Sequence, residues 1–213
     1  VGFPDGHTVA ASVAAAEAPL RSRIAVDLPQ DAHITGAAPS LFVSPFIELV
    51  EARSDNSEPQ TLAAAPVAVS GRLASKNERD LYVIPVKPGE KLRIDMLASA
   101  IGSPIDGVLD ILRENGQRLA GNDDQANTSD PGLNFDVPGN TDKIVVAVRD
   151  MLGRSGEGSV YRVVVRSRTA PDFTLSLPVD ALQIPAGGQA VTQVKVARQN
   201  FAGLVKLRVH GLP

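Results

Sequence analysis

The sequence predicts an all-β chain built as a β-sandwich. Three observations carry this. Apolar and polar residues alternate with a period of two in several short runs, the mark of strands with one buried face. Turn-forming dipeptides separate those runs. The apolar residues, 43% of 213, are mainly aliphatic, with 4% aromatics and no Trp, while 18 Gly and 16 Pro supply the turns.

The runs follow in order. Leu92, Ile94 and Met96 alternate with Arg93 and Asp95. Val108–Arg113 and Gln117–Ala120 flank Asn115-Gly116, which favours the positive φ of a type I′ turn and predicts a hairpin. Ile144, Val146 and Val148 form another alternating run, and Tyr161–Val165 is a β-branched stretch suited to a central strand. Beyond it, Phe173, Leu175 and Leu177 alternate, as do Val205, Leu207 and Val209. The Ala-rich Thr8–Ala18 is the one helix candidate, yet Val9, Ala11, Val13 and Ala15 also alternate, and strand is the preferred reading.

These signals divide into three units: 1–49, 50–168 and 169–213. The polar stretch Glu51–Gln60 and the joint Thr169-Ala170-Pro171 separate them. A start at Val1 without Met and an end at Pro213 suggest an internal piece of a longer protein.

Composition limits function. A net charge of −3 gives no reason to expect a nucleic-acid surface. The absence of Cys removes disulfides, thiolate metal sites and Cys nucleophiles. No apolar run is long enough to span a bilayer, so no membrane insertion is expected. The histidines, His7, His33 and His210, all lie in the flanking units without a Ser or Asp at motif spacing. Gly153-Arg154-Ser155-Gly156-Glu157 does not form a nucleophile elbow. The chain is therefore read as non-catalytic.

The middle unit resembles the bacterial pre-peptidase C-terminal domain. The residues that carry the resemblance are Val69-Ser70-Gly71-Arg72-Leu73, Asn77–Val83, Val86–Leu92, Leu109–Leu112 with Asn115-Gly116, Leu119–Asp124, Gly132–Phe135 and the strands Ile144–Arg149 and Tyr161–Val165. The resemblance implies a jelly-roll-type β-sandwich, appended to exported proteins and not itself catalytic. The flanks look like partial immunoglobulin-like domains. Pro171–Leu175, Phe201-Ala202-Gly203 and Gly211-Leu212-Pro213 carry that likeness at the C-terminal side. Expected partners are other domains of the same chain and an extracellular protein or polysaccharide. The expected location is extracellular, at the cell surface or periplasmic.

Two candidate calcium sites follow, each weighed against an ordinary turn. The acidic loop Gly121–Asp130 offers Asn122, Asp123, Asp124 and Asp130, hard oxygens of the kind calcium takes, although Ala126 and Thr128 break the EF-hand pattern. Asn and Asp are also what a solvated turn prefers. The second site is implied by similarity to the collagen-binding domains of clostridial collagenases, which bind calcium between an acidic N-terminal segment and an early strand turn. The matching positions are Glu51, Asp55 and Asn56, then the Arg72 carbonyl, Asn77 and Asp80, with Arg53 and Asn77 where that family carries acidic residues. A last candidate is the loop Arg149–Gly156, read as a hairpin loop whose Met151, Leu152 and Arg154 could make contacts.

The function expected is an accessory, adhesive or spacer module of an exported bacterial multi-domain protein, stabilised by calcium. One alternative is a carbohydrate- or collagen-binding module, which needs exposed aromatics although Tyr82 and Tyr161 are the sole tyrosines. Another is part of a secreted hydrolase whose catalytic domain lies outside this sequence.

Overall fold

A computed structural model of the chain describes residues 23–25, 40–52, 58–178, 184 and 187–207. The short strands β1 (Arg23–Ala25) and β2 (Ser40–Phe42) form one antiparallel pair. The sandwich follows. Its strands are β3 (Ile47–Val50), β4 (Gln60–Thr61), β5 (Val67–Arg72), β6 (Arg79–Pro85), β7 (Lys91–Leu97) and β8 (Gly107–Leu112). It continues with β9 (Arg118–Asn122), β10 (Gly132–Asp136), β11 (Lys143–Asp150) and β12 (Val160–Ser167). A second antiparallel pair, β13 (Asp172–Ser176) with β14 (Lys195–Gln199), comes last.

Two five-stranded sheets make the sandwich: one in the order β10-β7-β12-β5-β3, the other β4-β6-β11-β8-β9. The alternation read from the sequence decides which side chains face inward. Leu92, Ile94 and Met96 of β7 and Tyr161, Val163 and Val165 of β12 are buried from one sheet. Tyr82 and Ile84 of β6, Leu109 and Ile111 of β8 and Ile144, Val146 and Val148 of β11 meet them from the other. Each such side chain contributes about 1.5–3 kcal/mol by leaving water. Tyr161–Val165 does lie in the central strand of its sheet. The fold class predicted from the sequence, an all-β sandwich, is the one observed.

Four local readings change. The hairpin β8–β9 forms, but only Gly116 takes a positive φ (84°), and the Gly116 N–H donates to the Arg113 carbonyl. The turn is thus a right-handed turn closed by a left-handed glycine, with the register slipping after Ile111, rather than type I′. The connection after β11 is not a hairpin loop: β11 and β12 belong to opposite sheets, so residues 151–159 cross the sandwich. The third is at the first unit boundary. Ile47–Val50 pairs in parallel with Val67–Ser70, so the sheet runs across the position where the sequence suggested a break at residue 50. The fourth is near the end of the chain, where the strand lies at Lys195–Gln199 while residues 205–207 are not extended into a ladder. Thr8–Ala18, Val209, Asp55, Asn56 and the three histidines lie outside the described residues.

The segment 47–61 straps the sandwich. β3 adds a parallel strand to one sheet, and β4 adds a two-residue parallel strand, Gln60↔Tyr82 and Thr61↔Val83, to the other. Gln60 ties the two ends of the strap, accepting from the Ala52 N–H at 2.9 Å.

Candidate cation site

The strap brings Glu51 to the ends of β5 and β6. The Glu51 N–H donates to the Ser70 carbonyl at 2.8 Å, continuing the parallel ladder by one residue. Its carboxylate turns back, and Oε2 accepts from the Arg72 N–H at 2.9 Å. Opposite, the second residue of β6 is Asp80, whose side chain follows the inward face of Tyr82 and Ile84 and is buried. Two residues earlier, in the turn before β6, stands Glu78. Its Oε2 accepts from the Ser75 N–H, and its own N–H donates to the Ser75 carbonyl at 3.1 Å, closing the turn.

Glu51, Glu78 and Asp80 each place a carboxylate oxygen within 4.8 Å of the others. Among the described residues this is the one such group of three. A buried hydroxyl chain backs it: Tyr161 Oη donates to Asp80 Oδ2, and Tyr82 Oη lies 2.5 Å from Tyr161 Oη. Burial raises the Glu51 carboxyl to about 7; the Arg72 N–H works against that rise, while the Asp80 and Glu78 charges add to it. Both tyrosine hydroxyls are pushed up from their ordinary range, first by burial and then by neighbouring oxygens. Glu51 Oε1 is buried without a hydrogen-bond donor. Its neighbour Asp80 is another carboxyl, so the two can share a hydrogen bond only when one holds a proton.

Crowded carboxylates with an orphaned oxygen are what a hard cation would compensate, and the donor set fits calcium by type. One oxygen on each residue is already engaged, by Arg72, Ser75 and Tyr161 respectively. Calcium usually takes six or more oxygens, so water would complete its shell here.

Of the residues expected at the second site the structure brings Glu51 and Asp80 together, and it adds Glu78, which sequence reasoning did not single out. Asn77 sits in the same turn at φ 59°, and its main chain docks on Gly153 through a 3.2 Å N–H to carbonyl bond. Arg72 contributes its N–H to Glu51, whereas its carbonyl was the atom expected.

In the acidic loop, two of the four candidate residues accept from backbone N–H groups. Asp130 is buried, and its carboxylate accepts from the N–H groups of Ala98, Ser99 and Ala100 at 3.0, 2.7 and 2.9 Å. It thereby caps the single 3-10 turn Ser99–Ile101. Asn122 Oδ1 accepts from the Gly132 N–H at 3.3 Å. Asp123 and Asp124 point to solvent. Asp123, Asp124 and Asp130 do not gather their carboxylates within 4.8 Å of one another.

Loop 151–159 is anchored by Asp150, whose side chain is fully buried. It accepts from the N–H groups of Asp106, Leu152 and Arg154 at 2.6, 2.9 and 2.8 Å, and from the Arg154 guanidinium at 2.9 Å. Met151 and Leu152 stay exposed, as the sequence suggested.

No family model matches the chain, and no curated protein matches it in sequence. Solved structures do. One is the pre-peptidase C-terminal domain of a collagenase from Bacillus anthracis, 17% identical, with a TM-score of 0.41, covering 54% of this chain and all of that one. Another is PliG of Aeromonas hydrophila, a periplasmic inhibitor of g-type lysozyme, 14% identical, with a TM-score of 0.39, covering 56% of this chain and 97% of that one. Among the described residues no helix is long and apolar enough to cross a membrane.

Proposed function

We propose that the chain is a non-catalytic accessory or spacer module of an exported bacterial multi-domain protein, and that calcium locks its lead-in strap onto the sandwich. The observation that supports this is the group Glu51, Glu78 and Asp80, in which residues from the strap and from the start of β6 crowd like charges together. An ion between them would join β3 to the second sheet at the point where the strap crosses. With water completing the shell, the affinity belongs in the 10⁻⁴–10⁻³ M range of extracellular modules.

The other buried carboxylates have structural partners: Asp130 holds a turn, Asp150 a loop, and Asp110 pairs with Arg118 at 2.6 Å. The sugar-binding alternative loses its tyrosines, since Tyr82 and Tyr161 are both buried. Thermal unfolding with added calcium tests the proposal. At 100 times Kd the ion adds about 2.7 kcal/mol, a gain that Glu51→Gln with Glu78→Gln removes. An unfolding temperature indifferent to calcium and to chelator at pH 8 would overturn it.

A further inference from the structure

The outer face of the β3-containing sheet carries a groove of about 860 Å³, away from the carboxylate group. Its floor is Val164 and Leu97, with Arg162 and Arg166 on either side of Val164 along β12. One wall is Ser44, Phe46 and Glu48; the other is the 3-10 turn with Ile101, followed by Gln125 and Thr128. The size, the largely apolar lining and the few convergent polar groups are those of ligand sites.

The charged residues of this face are unequally occupied. Arg162 is clamped: it donates to both carboxylate oxygens of Glu48 and to Ser44 Oγ at 3.3 Å. Arg93 is similarly held, with Nε 2.7 Å from Asp95 Oδ1 and a second bond to Gln125. Arg166 is different. Its side chain is 35% exposed and makes no hydrogen bond with a described residue; its Nη2 lies 3.6 Å from Asp95 Oδ2, while Arg93 takes Asp95 Oδ1. A guanidinium held by one long ion pair at the rim of an apolar floor suits a carboxylate, which it can bind through two parallel N–H bonds.

Spacing narrows the ligand. Arg166 and Val164 are two residues apart on one face of a strand, about 6.6 Å. An extended peptide repeats its side chains on one face at the same interval. We propose that the groove receives an extended peptide segment of a partner protein. Such a segment sets an acidic side chain against Arg166 and an apolar one, two residues along, against Val164, Leu97 and Ile101.

Fluorescence polarisation of the whole chain with a labelled Thr-Asp-Thr-Leu-Thr peptide tests this. The expected result is saturable binding with Kd below about 1 mM. Arg166→Gln and Ile101→Asp should each weaken binding at least ten-fold, Arg166→Lys should weaken it less, and Leu177→Ser, remote from the groove, should leave it unchanged. Thr-Lys-Thr-Leu-Thr should not bind. No saturable binding, equal binding of the Lys peptide, or indifference to both Arg166 variants would overturn the proposal. So would displacement by hexanoate at the concentration where unlabelled peptide acts, since the ligand would then be a small amphiphilic carboxylate. Repeating the titration in chelator separates this groove from the calcium proposal, which fails or stands independently.

Discussion

The carboxylate of Asp130 accepts from the Ser99 N–H across 2.7 Å, joining the end of the acidic loop to a turn thirty-one positions earlier. It also serves Ala98 and Ala100, so its loss would leave three N–H groups without their acceptor, one of them buried. Asp130→Ala should cost about 2–3 kcal/mol, while Asp123→Ala with Asp124→Ala should stay within about 0.5 kcal/mol. Chemical denaturation measures both. A calcium response that disappears in the Asp123/Asp124 double variant would move the metal site into the acidic loop.

Gly71 lies where β5 passes the paired tyrosines. A Cβ there would stand 2.8 Å from Tyr82 Oη and closer still to Tyr161 Oη. Gly71→Ala should therefore cost about 1–3 kcal/mol through overpacking, and Tyr161→Phe in the same chain should recover part of it. Equal stability of the single variant and the parent would show that the hydroxyl chain to Asp80 is not held as described.

Glu51 gives the module a pH dependence of unusual sign for a carboxylate. Its folded value is raised to about 7, above the ordinary value of 4.5. Between these the folded chain keeps a proton that the unfolded chain has released. Stability should fall as pH rises through that window and level off above it. Because Glu51 is only half-buried, solvent screening limits the effect to about 1 kcal/mol. In chelator the melting temperature should drop from pH 5 to pH 8, Glu51→Gln should flatten the profile, and calcium at pH 8 should restore the loss.

Asp150 responds in the opposite direction. Burial alone would raise its carboxyl, but the Arg154 guanidinium and the N–H groups of Arg154, Asp106 and Leu152 outweigh this and hold it below the ordinary value. Its contribution is present above the unfolded value near 4 and lost as pH falls through the lower folded one. Asp150→Asn should cost about 2–3 kcal/mol at neutral pH and much less at pH 2, measured by urea unfolding at the two pH values.

The strands were readable because one buried face imposes a period of two, as in Leu92, Ile94 and Met96. The partner of each strand was not. β11 and β12 each alternate as hairpin partners would, yet they lie in opposite sheets, and only the docking of Asp150 on Asp106 and Arg154 shows how the chain turns between them. The same limit applied to chemistry. Asp130 and Asp123 look alike in a polar loop, but the first is saturated by backbone donors from a remote turn. Conversely, Glu51 reached Glu78 through a parallel pairing of residues twenty positions apart, for which alternation carries no signal. Arg166 and the groove it borders depended on how several arginines divide the carboxylates between them, and that is a property of the assembled face.

The parallel pairing of β3 with β5 also fixes how the sandwich would transmit force. Ile47 is in register with Val67, and Val67 with Val165. The chain therefore enters and leaves this sheet at the same end, two strand spacings or about 10 Å apart. Tension between the flanking segments would run across that end instead of along the strands. It would peel β3 away one hydrogen bond at a time, starting at Ile47 and reaching Glu51 last. A cation at Glu51 would act as the final stop on that tear. The sandwich would thus hang as a side lobe on a loaded chain, yielding gradually at low force and regaining its length when the load is released.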